Sequence, residues 1–326
     1  MRLDIRYRCR FVYEEPVRES QNELRAVPIT DQRQQLISAR VSTSPGARVF
    51  SFTDYWGTRV DTFGVREPHG SLEVVAEASV ETRRTPVITA APQFETVRSS
   101  GFRNDYLEYL EPTEHTAWSD AIVSEARHQA ELAGPNLIDV LLALYNRVGE
   151  ALRYAPGTTY VGVEVEEVLA RGSGVCQDYA HLAVAMCRSL GIPARYVSGY
   201  LFTTNDATGV EGEGDVVKVQ THAWFEAALP DLGWLALDPT NAQEVGVRHV
   251  KIGHGRDYGD VPPLRGVFSG QAGTALDVAV EMRRVGPQPV IDIAAARSRA
   301  AKEAQARMHA ARERRARLAQ QQQQQQ

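Results

Sequence analysis

Alternation of apolar and polar residues near the start of the chain constrains the fold more than any other sequence feature. It occurs in four segments between Met1 and Val87, separated by Pro, Gly, Asn and Ser clusters: LDIRYRCRFVY, LISARVST, ARVFSFTDYW and SLEVVAEASVET. A period of two is typical of half-buried strands. We predict an antiparallel β-sandwich domain over residues 1–95, with its end marked by Pro86, Pro92 and a polar stretch that ends at Gly101.

The segment that follows carries helical periodicity instead. Apolar residues recur three or four positions apart in PNLIDVLLALYNRVGEALRYAPG, between Pro135 and the Pro156-Gly157 stop. A second helix, after residues 172–174, precedes the strand-like segments ARYVSGYLF, VVKVQTHAWFEAAL and GWLALDP. Helices followed by strands indicate an α+β fold. We predict a second domain over 96–285, with helices packed on an antiparallel sheet and TALDVAVEMRR as its last strand.

Residues 286–326 differ in composition from the rest. Prolines introduce the segment, basic residues outnumber acidic ones between Asp292 and Leu318, and the chain ends in a glutamine run. We predict a basic helical tail. Such a tail could bind an acidic partner, but its composition favours a frayed, solvated helix ending in disordered glutamines.

Overall composition limits the class of protein. A net charge of −5 with 43% hydrophobic residues is typical of an ordinary soluble protein and argues against a nucleic-acid partner. No signal-like apolar stretch begins the chain, and no apolar run approaches the roughly 20 residues that span a bilayer. Three cysteines at wide spacings form no disulfide framework. We expect a cytoplasmic protein without a membrane partner.

Cys176 directly follows a Gly-Ser-Gly turn in GSGVCQDYAHLAVAMCRSLGIPARYVSGYL. A helix that begins at Val175, capped by Ser173 or Gly174, places the sulfur in the first turn. Unpaired backbone N–H groups and the helix dipole stabilise an anion there, and the same groups could hold an oxyanion. Cysteines are also among the most buried residues, so position alone leaves a packing role open. Cys187 and Cys9, in apolar or strand contexts without a base, are predicted to be core residues.

His222 and Asp238 flank a predicted hairpin turn in THAWFEAALPDLGWLALDPTN. A symmetrical hairpin places the two residues opposite each other, although a register shifted by one residue would separate them. A thiol acyl-transfer enzyme needs an imidazole to move the proton and a carboxylate to hold that imidazole. Cys176, His222 and Asp238 are therefore the predicted catalytic residues.

Other polar and aromatic residues receive structural interpretations. His181 lies about 140° around the helix from Cys176, so we expect it to be a packing or surface residue. His249 and His254 fall in the glycine-rich segment VRHVKIGHGRDYGD and are predicted to lie in a loop. We expect Asp178 to interact with the dipole of its own helix. Trp224 and Trp234 are expected to be core aromatics in preference to walls of a substrate channel.

Three elements together, GSGVCQDYAHL…GIPARYVSGYL, THAWFEAALPDLGW and LDPTN, closely resemble the bacterial branch of the transglutaminase-like superfamily, within the papain-like thiol enzymes. The β-rich start resembles the N-terminal region of such proteins, and GRDYGDVPPLRGVFSG resembles the segment after their core. The resemblance spans about Met1 to Val285. It implies Cys176 as nucleophile, His222 as general base and then acid, and Asp238 as the residue that orients His222.

The animal transglutaminases use calcium and a tryptophan near the oxyanion, and neither feature is found here. There is no Asp-rich calcium loop, no His-Glu-x-x-His motif and no paired Cys-x-x-Cys. We therefore predict no cofactor and no metal. The predicted function is cysteine-dependent acyl transfer or hydrolysis at glutamine carboxamide or peptide amide groups of a protein or peptide, through a thioester. The alternatives are a cysteine protease or deamidase of the same fold, and a non-catalytic interaction protein.

Overall fold

The computed structural model describes residues 1–84, 88, 90, 92–157, 162–203, 216–270 and 273–286. Met1 to Val285 form one compact unit. The predicted basic tail lies outside the described residues, apart from Gly286.

Regular structure begins with strands. Strands β1 to β6 are Arg2–Val17, Glu19–Leu24, Gln34–Ser44, Phe50–Thr53, Arg59–Val65 and His69–Thr82. Helices α1 to α3 follow at Ser100–Asp105, Asp120–Ala133 and Leu137–Ala151, with short 3-10 helices at Phe94–Arg98 and Leu107–Tyr109. The next elements are β7 (Arg153–Tyr154), α4 (Val165–Arg171), β8 (Ser173–Gly174) and α5 (Cys176–Ser189).

Strands dominate the rest of the described chain. Strands β9 to β14 are Ala194–Leu201, Val216–Val219, Thr221–Leu229, Gly233–Asp238, Gln243–Glu244 and His249–Gly255. A 3-10 helix at Tyr258–Asp260 precedes β15 (Leu264–Ser269) and β16 (Thr274–Val285). The α+β class predicted from the order of periodicities is confirmed.

Two antiparallel sheets contain the N-terminal strands. One has the order β10-β16-β1-β6-β3, and the other has the order β15-β2-β5-β4. Alternate side chains of both sheets enter one hydrophobic cluster, which includes Tyr7, Leu24, Phe63 and Leu72. This shared cluster is the reason for the period-two pattern, because each strand buries one face.

These N-terminal sheets also contain strands from the far end of the chain. Strand β16 pairs along most of β1, β15 pairs with β2, and β10 pairs with β16. The segment VVKVQTHAWFEAAL, predicted as one strand, divides at Gln220 into β10 and β11, which belong to different sheets. The domain boundary predicted at residue 95 follows the order of motifs along the chain. The strand pairing crosses this boundary, because strands from beyond residue 95 pair with the N-terminal strands. Alternation identifies a strand but not its partner, so the pattern did not indicate this arrangement.

The remaining large sheet has the order β13-β12-β11-β9-β14, and helices cover one face of it. Phe225 and Ala227 of β11 pack in the same apolar cluster as Leu144 of α3 and Leu182 of α5. Helix α3 begins where predicted, because the Asn136 side chain accepts a hydrogen bond from the Ile138 N–H at 2.9 Å. Among the described residues, no helix is long and apolar enough to cross a membrane.

A buried ion cluster occupies the opposite face of this sheet. The Glu226 side chain is 1% exposed and lies 2.7 Å from Lys251 Nζ, 2.7 Å from a guanidinium nitrogen of Arg195, and 2.8 Å from one of Arg33. Beside it, the Gln34 side-chain amide bonds both the N–H and the C=O of Lys251. Because Arg33 directly precedes β3 and Gln34 is the first residue of β3, this cluster joins the N-terminal region to the central sheet.

We expect Glu226→Gln to lower the free energy of unfolding by roughly 3 to 5 kcal/mol, because buried Lys251 and the partly buried Arg195 and Arg33 would lose their shared carboxylate. Urea unfolding followed by circular dichroism measures this change. Glu77→Gln, which removes an exposed ion pair with Arg6, is the matched control and should cost less than about 1 kcal/mol. Equal losses in the two variants would contradict the stabilising role of the cluster.

Candidate active site

Cys176 is the first residue of α5. Val175 is the N-cap and has an extended conformation, so the helix begins one residue later than predicted. The Val175 N–H donates to Asp178 Oδ2 at 2.7 Å. Asp178 thus has the local role expected of it. A Cβ at position 174 would lie 2.6 Å from Asp178 Oδ2, so glycine is required where the turn meets the carboxylate. The half-buried thiol consequently lies in the first helical turn, where the helix dipole favours an anion.

His222 is the second residue of β11, and Asp238 is the last residue of β12. The strands pair Phe225 with Leu237, two residues away from the symmetrical register predicted above. A shift of two keeps both side chains on the same face of the sheet, where diagonal neighbours can still meet. His222 Nε2 therefore reaches Asp238 Oδ2 at 2.7 Å.

Asp238 is fully buried and accepts hydrogen bonds through both oxygens. Oδ1 accepts from the backbone N–H groups of Thr240 and Asn241 at 3.1 and 3.3 Å. Oδ2 accepts from His222 Nε2, from Asn241 Nδ2 at 2.8 Å, and from His249 Nε2 at 3.2 Å. Burial alone would raise the pKa of Asp238, but the bonds from His222, His249 and Asn241 outweigh it and hold the pKa below its usual value. The carboxylate is therefore charged.

His222 connects this carboxylate to the thiol. Burial would lower its pKa, but hydrogen bonds to Asp238 and Cys176, together with the charges of both groups, raise the pKa to about 10. Because Asp238 engages Nε2, Nδ1 is the ring nitrogen left for Cys176. The structure thus brings together the three residues predicted from the sequence, with a protonated imidazole between the thiol and the carboxylate.

A cleft of about 230 Å³ gives access to Cys176 and His222. Its walls consist of tyrosine rings and small or polar side chains, from Tyr154, Pro156, Gly157, Val175, Gln177, Tyr196, Ser198, Gln220, Thr221, Ala223, Tyr258 and Pro263. Tyr154 is placed there by the parallel pairing of β7 with β8, two residues before the cysteine. The spacing of Tyr154 from Cys176 in the sequence did not indicate this proximity.

The tryptophans considered for a channel wall lie elsewhere. Trp224 is buried with Val197, Ala236 and Val245 on the sheet face away from the helices. Trp234 stacks under the Arg195 guanidinium, whose carbon lies 3.7 Å from the ring centroid. Neither residue lines the cleft, so their expected packing role agrees with the structure.

Two histidines predicted to lie in a loop belong to β14. His249 is buried and bonds the Asp238 carboxylate, and His254 contacts Arg195 in the ion cluster. Glycines in the segment HVKIGHG suggested a loop, but Gly253 permits close packing, since a Cβ there would lie 2.2 Å from Thr58 Oγ1. His181 is buried and accepts a hydrogen bond from the Tyr258 N–H, which is a packing role.

His222, Asp238 and His249 also form the one group among the described residues whose donor atoms could hold a metal ion, all lying within 4.8 Å of one another. Two ligands of a tetrahedral zinc ion stand about 3.3 Å apart. The 2.7 Å between His222 Nε2 and Asp238 Oδ2 is shorter and fits a shared proton. The geometry is therefore that of a hydrogen-bonded site.

A thiol on a helix start beside an imidazole and a carboxylate on an antiparallel sheet defines a papain-like thiol-enzyme fold. The family model for the transglutaminase-like superfamily core matches residues 125–239, and that for the bacterial transglutaminase-like N-terminal region matches residues 3–81. The chain belongs to the transglutaminase-like superfamily.

Individual relatives agree with this assignment. An uncharacterised protein of Mycobacterium leprae is 37% identical over 284 residues, which cover 87% of this chain and 99% of that protein. A protein-glutamine γ-glutamyltransferase of Pseudomonas aeruginosa is 30% identical over 155 residues, or 44% of this chain and 22% of that enzyme. The crystal structure of a candidate cysteine protease from Cytophaga hutchinsonii has a TM-score of 0.66 at 22% identity, over 89% of this chain and 93% of that one. This last likeness shows the shared fold.

We expect iodoacetamide to label Cys176 selectively in the folded protein at about pH 7. Burial raises the pKa of Cys9 to about 11 and that of Cys187 to about 12, so neither thiol ionises there. Peptide mapping by mass spectrometry identifies the adducts, and Cys176→Ala provides the blank. Equal labelling of the three cysteines in the native state would contradict the prediction.

The imidazolium of His222 should persist far above the ordinary histidine range. A group with a raised pKa keeps its proton until the pH reaches that value, so its NMR titration midpoint should lie near pH 10. In Asp238→Asn the midpoint should fall, because the charge that holds the proton is lost. His222→Gln assigns the resonance, and a wild-type midpoint near 6.5 would show that Asp238 does not stabilise the imidazolium.

Proposed function

We propose that the protein is a cysteine-dependent enzyme that acts on glutamine carboxamide or peptide amide groups through a thioester on Cys176. One observation carries this proposal: the thiol at the start of α5 bonds His222, whose other ring nitrogen lies 2.7 Å from a buried, charged Asp238. Activation of a thiol by an oriented imidazole is the requirement of nucleophilic acyl transfer.

Acylation follows from the groups present. The Cys176 sulfur attacks the carbonyl carbon, and the N–H groups at the start of α5 stabilise the negative charge that develops on the carbonyl oxygen. His222 gives its proton to the departing nitrogen, which leaves as ammonia from a carboxamide or as an amine from a peptide. Asp238 holds the ring in the tautomer that places Nδ1 toward the sulfur.

Deacylation needs an acceptor, which is water or an amine. His222 removes a proton from the acceptor as it attacks the thioester, and the thiol is released. Transfer to dilute amine requires a mostly apolar channel that excludes water. The described walls of the cleft combine tyrosine rings with hydroxyl and amide groups, including those of Gln177, Ser198, Gln220 and Thr221. With this mixed lining we propose that the thioester passes both to water and to amines.

The names of two relatives support thiol chemistry at amide groups. The Pseudomonas aeruginosa relative is named a γ-glutamyltransferase that acts on protein glutamine, and the Cytophaga hutchinsonii structure is named a candidate cysteine protease. Both names fit a thioester step, so transfer, deamidation and peptide cleavage are alternative outcomes of the same proposed mechanism. The substrate we propose is a protein or peptide, and the cytoplasmic location expected from the sequence remains a prediction.

Product analysis separates these outcomes. Glutamine-containing peptides are incubated with the protein with and without a primary amine, while ammonia release and peptide mass are followed. We expect ammonia release, a deamidated peptide, and an amine adduct that grows with amine concentration. Peptide cleavage without ammonia would indicate a protease. If Cys176 is reactive but no product forms in either format, the proposed substrate class is wrong.

Variants of the site provide the controls for this assay. Cys176→Ala should abolish turnover, because no thioester forms. Asp238→Asn should lower turnover by roughly 10³- to 10⁴-fold, because the wrong His222 tautomer is then favoured. Thermal melting of each variant separates lost chemistry from lost folding. An Asp238→Asn protein that folds and turns over like the wild type would exclude the proposed role of the carboxylate.

A further inference from the structure

A second histidine binds the carboxylate on which the proposed reaction depends. His249 begins β14, is buried, and donates from Nε2 to Asp238 Oδ2 at 3.2 Å. Its other ring nitrogen, Nδ1, accepts the backbone N–H of Gly246 at 3.2 Å. A backbone N–H can only donate, so Nδ1 carries no proton and the proton of the neutral ring is on Nε2. The backbone therefore selects the tautomer that bonds Asp238.

The surroundings keep this ring neutral and in place. His249 is faced by Asp238 of β12, His222 of β11 and Arg33 of the segment before β3, and burial lowers its pKa. The Trp224 ring packs edge-on against His249, with 5.3 Å between ring centroids. A neutral imidazole with one fixed donor thus points at Oδ2.

Three parts of the chain hold the carboxylate. His222 binds Oδ2 from β11, Asn241 binds both oxygens from the turn after β12, and His249 binds Oδ2 from β14. Asn241 Nδ2 lies only 3.3 Å from His222 Nε2, so these two donors approach Oδ2 close together. His249 is the remaining donor to Oδ2; it reaches this oxygen from β14 and adds to the bonds that limit rotation of the carboxylate.

We propose that His249 is a positioning residue, which holds Asp238 Oδ2 toward His222 and thereby maintains the Cys176–His222 pair. This role rests on the proposed function, but it can be measured on the thiol itself. Alkylation by iodoacetamide requires the thiolate and no acyl substrate, so its pH dependence reports how well His222 is held as an imidazolium.

The experiment compares the pH of half-maximal Cys176 alkylation in full-length variants. With His249→Leu, Oδ2 loses one donor and the carboxylate is held less firmly toward His222. The half-maximal pH should then rise by about one unit, the order expected for the loss of one hydrogen bond to a charged group. His249→Gln retains a buried N–H donor and should restore most of the shift. His254→Gln, at a histidine of the same strand that bonds Arg195 instead, should leave the half-maximal pH unchanged.

A double-mutant cycle separates positioning from a general structural effect. Because His249 acts through Asp238, adding His249→Leu to Asp238→Asn should cause no further shift, whereas a merely structural residue would shift both backgrounds equally. An unchanged or lowered half-maximal pH in His249→Leu would overturn the proposal, since a lowered value means that His249 only withdraws charge from Asp238. Equal shifts in the two backgrounds would overturn it as well.

The positioning role can still be tested if His249→Leu does not fold or if no acyl substrate is found. If His249→Leu does not fold, His249→Asn, whose amide is withdrawn from Oδ2 by a shorter side chain, should show the rise, and its absence would overturn the proposal. If no acyl substrate is found but alkylation still depends on His249 as described, the positioning role stands and only the proposed reaction fails.

Discussion

The hydrogen bond between His222 and Asp238 is the interaction on which the rest of the site depends. It joins the ends of two neighbouring strands, and its carboxylate is fully buried, so the negative charge is stabilised by the surrounding hydrogen-bond donors and by the His222 imidazolium. The same strand, β11, presents Phe225 to the helices on its other face, which positions α5 and its first residue beside His222. One strand therefore aligns the imidazole with both of its partners.

The N-terminal sheets are part of the framework that holds this strand. Glu226 lies on the same face of β11 as His222, and its buried cluster ties the strand to Arg33 and to Lys251 of β14. A single residue, Gln220, separates β10 from β11, and β10 belongs to the N-terminal five-stranded sheet. The segment that carries His222 is therefore attached to both the N-terminal and the central sheet.

The site also extends beyond the three residues that define its class. His249 and Asn241 bind the carboxylate, and tyrosines line the cleft beside the thiol. The lining of the cleft and the donors around Asp238 are features of this structure that the three-residue motif does not specify.

The sequence by itself determined the α+β class, the start of the α5 helix to within one residue, and the three residues that meet at the cleft, Cys176, His222 and Asp238. These features depend on local periodicity, capping and short motifs. Tertiary structure decided the two-residue shift of the β11–β12 register, the division of one predicted strand between two sheets, and the return of β15 and β16 to the N-terminal sheets. It also placed His249 on Asp238 and Tyr154 in the cleft. Strand partners far apart in the chain are selected by packing and hydrogen bonding in the folded state. Alternation along one strand does not specify which strand pairs with it.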